Sequence, residues 1–257
     1  MKLGVDTYTT HSQGWDMFQT LDYLKKIEVD VAHLAGPSLS QSQDEDLLRS
    51  VKQHADKLGL EIEAGMGSIC PTSTTFRSQN GDTAEERVRL MLHASSVLGS
   101  PVLKCFLGAR GDRRTDIPLI THIHNSIATL KAVRQQAMDL GIKIAVENHG
   151  DLQGREMKML VEEAGPEYVG VCFDGGNPTT LGEDPLVALE HVAPYVLTGH
   201  IRDSVVWSHP RGAAMQWVAM GDGNIGIQNF AERYKILCPD ATFTIEILTG
   251  SPPRILN

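Results

Sequence analysis

Four residues of the types that bind metal ions or move protons recur at a regular spacing in the second half of the chain. They are Glu147 in IAVENHG, Asp174 in VCFDGGNP, His200 in TGHIRDS and Glu246 in FTIEILTG. Glu147 and Asp174 are 27 residues apart, and Asp174 and His200 are 26 apart, the length of one strand plus one helix. His200 and Glu246 are 46 apart, one such unit plus a long insertion. Each residue ends or interrupts an apolar run of strand character. Three carboxylates and an imidazole brought to one place repel each other without a cation, so one divalent metal ion is expected among them. A mostly oxygen donor set with one nitrogen suits Mn²⁺ or Mg²⁺, with Co²⁺, Zn²⁺ and Fe²⁺ as alternatives. Taken singly, Glu246 reads as a paired core acid, Asp174 as a turn cap and His200 as a satisfied buried histidine. The matched spacing of all four favours a site.

Positioning them requires a repeated frame, and the chain has one. Strands are expected over 3–8, 30–35, 60–65, 101–108, 142–150, 168–176, 196–204 and 242–250. Amphipathic helices are expected over 15–28, 43–58, 83–98, 117–140, 153–164, 184–192 and 226–237. Gly59, Gly99 and Gly141 follow three of these helices as C-terminal caps. Apolar strands alternating with helices predict a parallel sheet, and eight strands in one domain over 1–257 predict a (β/α)8 TIM barrel. In such barrels chemistry sits at the C-terminal strand ends, where the four residues fall. GDGN at 221–224 is too short for a dinucleotide fingerprint and does not follow a strand directly. After Gly250 only SPPRILN remains, so the eighth helix is expected to be missing or truncated. The groove left between helices seven and one predicts a homo-oligomer.

Composition narrows the partners. The chain has 257 residues, 41% hydrophobic and 21% charged, which is ordinary for a globular protein. Its formal net charge of -9 argues against nucleic acid. No apolar stretch approaches the ~18 residues needed to span a membrane, and MKLGVDTYTT lacks an apolar signal core. Cys70, Cys105, Cys172 and Cys238 are widely spaced and form no CxxC. They read as reduced thiols in a cytoplasmic protein.

AVENHG, CFDGGNP, GHIRDS and TIEI together resemble the xylose-isomerase-like superfamily of sugar isomerases and epimerases. Its members include ketose 3-epimerases, hydroxypyruvate isomerase, inosose dehydratase, dehydroshikimate dehydratase, sugar-acid decarboxylases, 3-oxo-C-glycoside-cleaving enzymes and endonuclease IV. The resemblance spans nearly the whole chain. It implies one divalent metal held by Glu147, Asp174, His200 and Glu246, with the two glutamates also serving as an acid/base pair. It further implies a small carbohydrate or sugar-acid substrate that reacts through a metal-stabilised enediolate. Isomerase or epimerase is the leading expectation. A lyase (decarboxylase, dehydratase or C-glycoside-cleaving enzyme) acting on a 3-oxo sugar or sugar acid is the alternative. An endonuclease IV-like phosphodiesterase is remote, because strands three and four end in Ala64-Gly65 and Leu107-Gly108 with no histidine.

The sequence departs from the epimerase pattern at two places. Asn177 stands where epimerases often have His, and Arg202 follows His200 by two residues, where many relatives have Lys. Other candidates keep two readings. His149 touches substrate or orients Glu147. Arg202 binds a substrate oxygen or pairs with Asp203 or another acid. Arg110, Arg113 and Arg114 in GARGDRR clamp a carboxylate or phosphate, or form a solvated loop. His33 lines the pocket or packs. Trp207, His209 and Trp217, in the expected loop 204–224, form a lid over a sugar or simply pack. His54, His93, His122, His124 and His191 read as structural or solvent-facing.

Overall fold

The computed structural model describes residues 1–34, 39 and 44–256. The expected start of helix two at 43 and end of strand two at 35 lie outside the described residues, as does Asn257. Eight strands run parallel around a barrel in the order β10-β1-β2-β3-β4-β5-β6-β7. They are β1 (Leu3–Asp6), β2 (Val31–Leu34), β3 (Glu61–Ser68), β4 (Val102–Phe106), β5 (Lys143–Glu147), β6 (Val169–Asp174), β7 (Val196–His200) and β10 (Phe243–Ile245). The ring closes between β7 and β10. There Ile201 N–H donates to the Thr244 carbonyl at 2.7 Å, and Glu246 N–H donates to the Ile201 carbonyl at 3.0 Å.

The helices between the strands are α1 (Met17–Lys26), α2 (Glu45–Leu58), α3 (Ala84–Leu98), α4 (Leu119–Leu140), α5 (Gly154–Ala164), α6 (Pro185–Val192) and α7 (Ile227–Leu237). The starts of α1, α2, α3 and α6 carry side-chain caps. Asp44 accepts from Leu47 N–H, and Thr83 and Glu86 cap each other's backbone in a capping box. Gly141 ends α4 at φ 67°, where a residue with a Cβ is strained. Leu21, Leu24, Val51, Leu92, Leu130 and Leu160 turn inward from these helices and pack on the outer faces of the strands. Among the described residues no helix is long and apolar enough to cross a membrane.

One expectation needs correction. Residues 204–224 are not a plain loop. The strand expected at 196–204 stops at His200, and a second strand, β8 (Asp203–His209), begins at once. It pairs antiparallel with β9 (Gly212–Val218), so Trp207 faces Ala214 and Val206 faces Met215. The turn between them holds only Pro210 and Arg211, with Gly212 at φ 121°. As expected, the described residues after β10 form no eighth helix. They form β11 (Arg254–Leu256), which pairs antiparallel with β9. The chain thus adds a strand beside the barrel mouth instead of covering the flank.

Candidate functional site

Parallel register places the polar residues at one height. Asp6 is level with His33, His33 with Glu63, and Asp174 with His200. Lys104 follows from β4, Glu147 from β5, and Glu246 from just past β10. All are buried.

Three of the four expected metal ligands come together. Glu147 Oε2 is 3.6 Å and Glu246 Oε2 3.5 Å from His200 Nδ1. Asp174 is engaged separately. Its Oδ2 meets Arg202 Nη2 at 2.5 Å and accepts from Asn177 Nδ2 at 2.8 Å. Its Oδ1 accepts from the backbone N–H of Gly176 and Asn177 at 2.7 and 2.9 Å. Arg202 also pairs with Glu246, and Lys104 Nζ meets Glu147 Oε2 at 2.5 Å.

A second set lies behind His200. Its Nε2 is 3.1 Å from Asp6 Oδ2 and 3.4 Å from His33 Nδ1. His33 Nδ1 is in turn 3.4 Å from Glu63 Oε2, which accepts from Thr198 Oγ1 at 2.6 Å. Asp6 therefore occupies the far nitrogen of His200 and leaves Nδ1 toward the glutamates. This is the arrangement in which a carboxylate orients a ligating imidazole.

Electrostatics follow from crowding. Burial alone would raise the Glu147 carboxyl, but the Lys104 cation and His200 hold it well below its usual range. Burial likewise opposes ionisation of Glu246, and the Arg202 guanidinium overcomes it. Asp174 is pushed up to about 6 by burial, with Glu147 and Glu246 adding repulsion that Arg202 only partly offsets. His200 is raised well above its usual value: burial opposes this, but the acidic groups of Cys172, Glu147 and Asp6 prevail. The buried mouth holds five carboxylates (Asp6, Glu63, Glu147, Asp174 and Glu246) against two fixed cations, Lys104 and Arg202. A divalent ion suits that imbalance. The buried Nδ1 of His200, which has no hydrogen-bond partner, suits it too. Donor atoms ~3–3.5 Å apart are what a cation with bonds of ~2.1 Å draws together. The donor set therefore fits a metal at Glu147, His200 and Glu246, with Asp174 beside them under Arg202.

A cavity of about 700 Å³ opens above this cluster. His149, Asn177, Arg202 and Arg110 line it. His149 stacks on Phe106 at 4.2 Å and reaches the Gly108 carbonyl with Nδ1, so it does not orient Glu147. Arg202 pairs with Asp174 and Glu246, not with Asp203. Asp203 accepts from Gly221 and Gly223 N–H, each at 3.0 Å. His33 packs beneath the cavity against His200, with ring centroids 4.5 Å apart. Trp207 is 38% exposed on β8 and does not line the cavity, whereas Trp217 on β9 does. Arg113 pairs with Glu156. Trp217 was among the expected lid residues, whereas Asp6, Glu63, Lys104 and Arg254, which the structure brings to the cluster or the cavity, were not expected. For Asp6, Glu63 and Lys104 the legible signal was a charged residue inside an apolar strand: LGVD, LEIEAG and VLKCF.

A parallel eight-stranded barrel with a buried polar cluster at its C-terminal mouth defines a TIM-barrel protein. Residues 21–252 match the family described as xylose isomerase-like TIM barrel, and the chain belongs to it. The uncharacterized protein YihM of Escherichia coli strain K12 is 31% identical over 107 residues, which are 42% of this chain and 32% of YihM. The match thus spans about a third of that relative. Among solved structures, D-psicose 3-epimerase with D-tagatose from Clostridium cellulolyticum H10 superposes with a TM-score of 0.75 at 15% identity. It covers 98% of this chain and 86% of its own. A xylose isomerase-like TIM barrel protein from Mycobacterium smegmatis in complex with magnesium gives 0.73 at 14% identity, covering 97% and 90%.

Proposed function

We propose that the protein is a divalent-metal-dependent isomerase or epimerase of a small sugar-like carbonyl compound. The observation that carries this is the convergence of Glu147, His200 and Glu246 beneath a polar cavity, in a buried cluster that holds more carboxylates than fixed cations. Family membership and the likeness to an epimerase support it. Glu147, His200 and Glu246 would hold the ion, with Asp174 released from Arg202 as the fourth ligand. When bound, Mn²⁺ or Mg²⁺ supplies a Lewis acid that makes the C–H next to the substrate carbonyl more acidic. Glu147 and Glu246 approach from β5 and from the end of β10, and each is held ionised, ready to take a proton. One removes the C–H proton and becomes the acid, while the other first takes a proton from solvent and then delivers it to the opposite face of the enediolate. Asp6 keeps the His200 ring oriented, and His149 and Asn177 hold substrate hydroxyls. Four buried free thiols accord with a reducing compartment, the cytoplasm.

A lyase reading is favoured by one observation. Arg202 grips Glu246 and Asp174 while Lys104 grips Glu147, so the two glutamates are not equivalent. A single protonation of an enediolate, as in decarboxylation or dehydration, needs only one of them. The test is a panel of oxo sugars and oxo-sugar acids with Mn²⁺ or Mg²⁺, followed by NMR in deuterated buffer. Deuterium uptake with the carbon skeleton retained is the expected result. Loss of CO₂, water or an aglycone establishes the lyase. No turnover of any member, with metal bound, overturns both.

A further inference from the structure

The cavity above the acid cluster is one-sided in charge. Lys104 and Arg202 reach its wall, but each is held by carboxylates beneath, at Glu147 and Asp174. Arg254 on β11 is placed differently. Its Cζ lies 3.9 Å from the ring centroid of Trp217, and among the described residues no carboxylate pairs with it. Arg202 lies over the same ring at 4.6 Å. Arg110 donates to the Ile255 carbonyl at 2.9 Å, which ties the loop after β4 to β11 and draws a second arginine toward Arg254. The register of β11 on β9, Arg254 opposite Met215, fixes Arg254 beside Trp217. Two separate segments thus bring like charges together at the edge of one cavity.

The neighbouring groups are donors as well. Trp217 lines the cavity and its Nε1 is buried with no hydrogen-bond partner. Indole N–H and guanidinium groups donate only. Burial, then Arg202 and Arg110, press the Arg254 guanidinium below its ordinary value. Burial and Arg114 do the same to Arg110. Crowded guanidinium groups beside a buried N–H without an acceptor are completed by an anion, which relieves the repulsion and fills the missing bond. The field matters too, because the chain as a whole is at -9 while this edge is basic.

We infer that the cavity edge formed by Arg254, Arg110 and Trp217 binds an anionic group, a carboxylate or a phosphate, carried by the substrate away from its reacting carbonyl. The inference names the substrate class of the site under the reading above and rests on that reading for the carbonyl end alone. The anion end is tested without metal. EDTA-treated protein is titrated with D-gluconate, D-glucose 6-phosphate and neutral D-glucitol, followed by tryptophan fluorescence and calorimetry. At least one anion should bind roughly ten- to hundredfold more tightly than D-glucitol, the worth of a charge-assisted hydrogen bond. Which anion binds better distinguishes a carboxylate from a phosphate source. Arg254→Met should lose most of that preference and leave D-glucitol binding unchanged. Arg254→Lys should recover part of it. Added NaCl should weaken only the anions. Anions that bind no better than D-glucitol, or an Arg254→Met protein that binds them as tightly as the parent, overturn the inference. Mn²⁺ affinity, measured separately by calorimetry, tests the metal-dependent reading, so either can fail alone.

Discussion

Lys104 and Arg202 set how the two glutamates behave. Each places a fixed cation on one carboxylate, so both glutamates stay ionised despite burial. A glutamine keeps an oxygen for a metal but cannot carry the proton. Glu147→Gln and Glu246→Gln should therefore each lower turnover by roughly 10²–10⁴, the usual worth of acid–base catalysis. Added metal should rescue neither. In a lyase the two losses should be unequal. Two variants fully active at saturating metal would remove the acid–base role. The thiols nearby are inert for a related reason. Burial pushes Cys172 up to about 11 and Cys238 up to about 12, and Cys105 higher still. Thiolate is the reactive form. Ellman's reagent at pH 8 should leave the native protein unlabelled over minutes and label four thiols in denaturant. Fast labelling of one thiol in the folded protein would contradict this burial.

At the scale of elements, the repeating units were legible because strands buried on both faces read as short apolar runs, such as IKIAV before Glu147. Glycine caps marked where α2, α3 and α4 stop. The clustered positions Glu147, His200 and Glu246 were legible for the same reason, since each follows or interrupts an apolar run. The β8–β9 hairpin was not legible. Its first strand begins three residues after β7 ends, with no glycine or proline between, so the two merge into one run. The engagement of Asp174 by Arg202 was also hidden, because it depends on which way a side chain from the β7–β8 junction turns. That junction is held by Asp203, which gathers the N–H groups of Ser204, Gly221 and Gly223. Gly223 approaches so closely that a Cβ there would lie 2.0 Å from Asp203 Oδ1. Asp203→Ala leaves these N–H groups without their acceptor, at a cost of about 1–3 kcal/mol each if they stay buried. Limited proteolysis should then cut within 219–224 while the barrel's circular dichroism persists. Resistance equal to the parent's would show that the hairpin does not depend on Asp203.

The whole molecule is a barrel whose mouth carries an excess of buried negative charge and whose flank beyond α7 has no further helix among the described residues. Ile236 on α7 is 66% exposed and Ile27, just past α1, is 43% exposed, on the two elements that border that flank. A self-associating protein is expected, and Ile236→Glu should shift sedimentation toward the monomer. A parent that is already monomeric at every concentration would rule this out. The charge at the mouth gives the larger effect. Five carboxylates face Lys104 and Arg202, so a divalent ion relieves repulsion in the folded state that the extended chain never has. Binding to the folded form alone at a hundred times Kd is worth about 2.7 kcal/mol. For a chain of this size each kcal/mol moves Tm by roughly 2–4 °C, so saturating Mn²⁺ should raise the Tm of EDTA-treated protein by about 5–10 °C. Asp174→Asn removes one of the five charges and the expected fourth ligand. Its metal-free Tm at pH 8 should rise, because Asp174 is pushed up to about 6 and its ionised form is the strained one. That gain should fade as pH falls through 6 and the parent's Asp174 takes up its proton. The Mn²⁺ shift of the variant should be smaller than the parent's. Differential scanning fluorimetry across Mn²⁺, Mg²⁺, Co²⁺, Zn²⁺ and Fe²⁺ reads all of this. No shift with any of the five ions would remove the metal, while an anion at Arg254 would still be open to test.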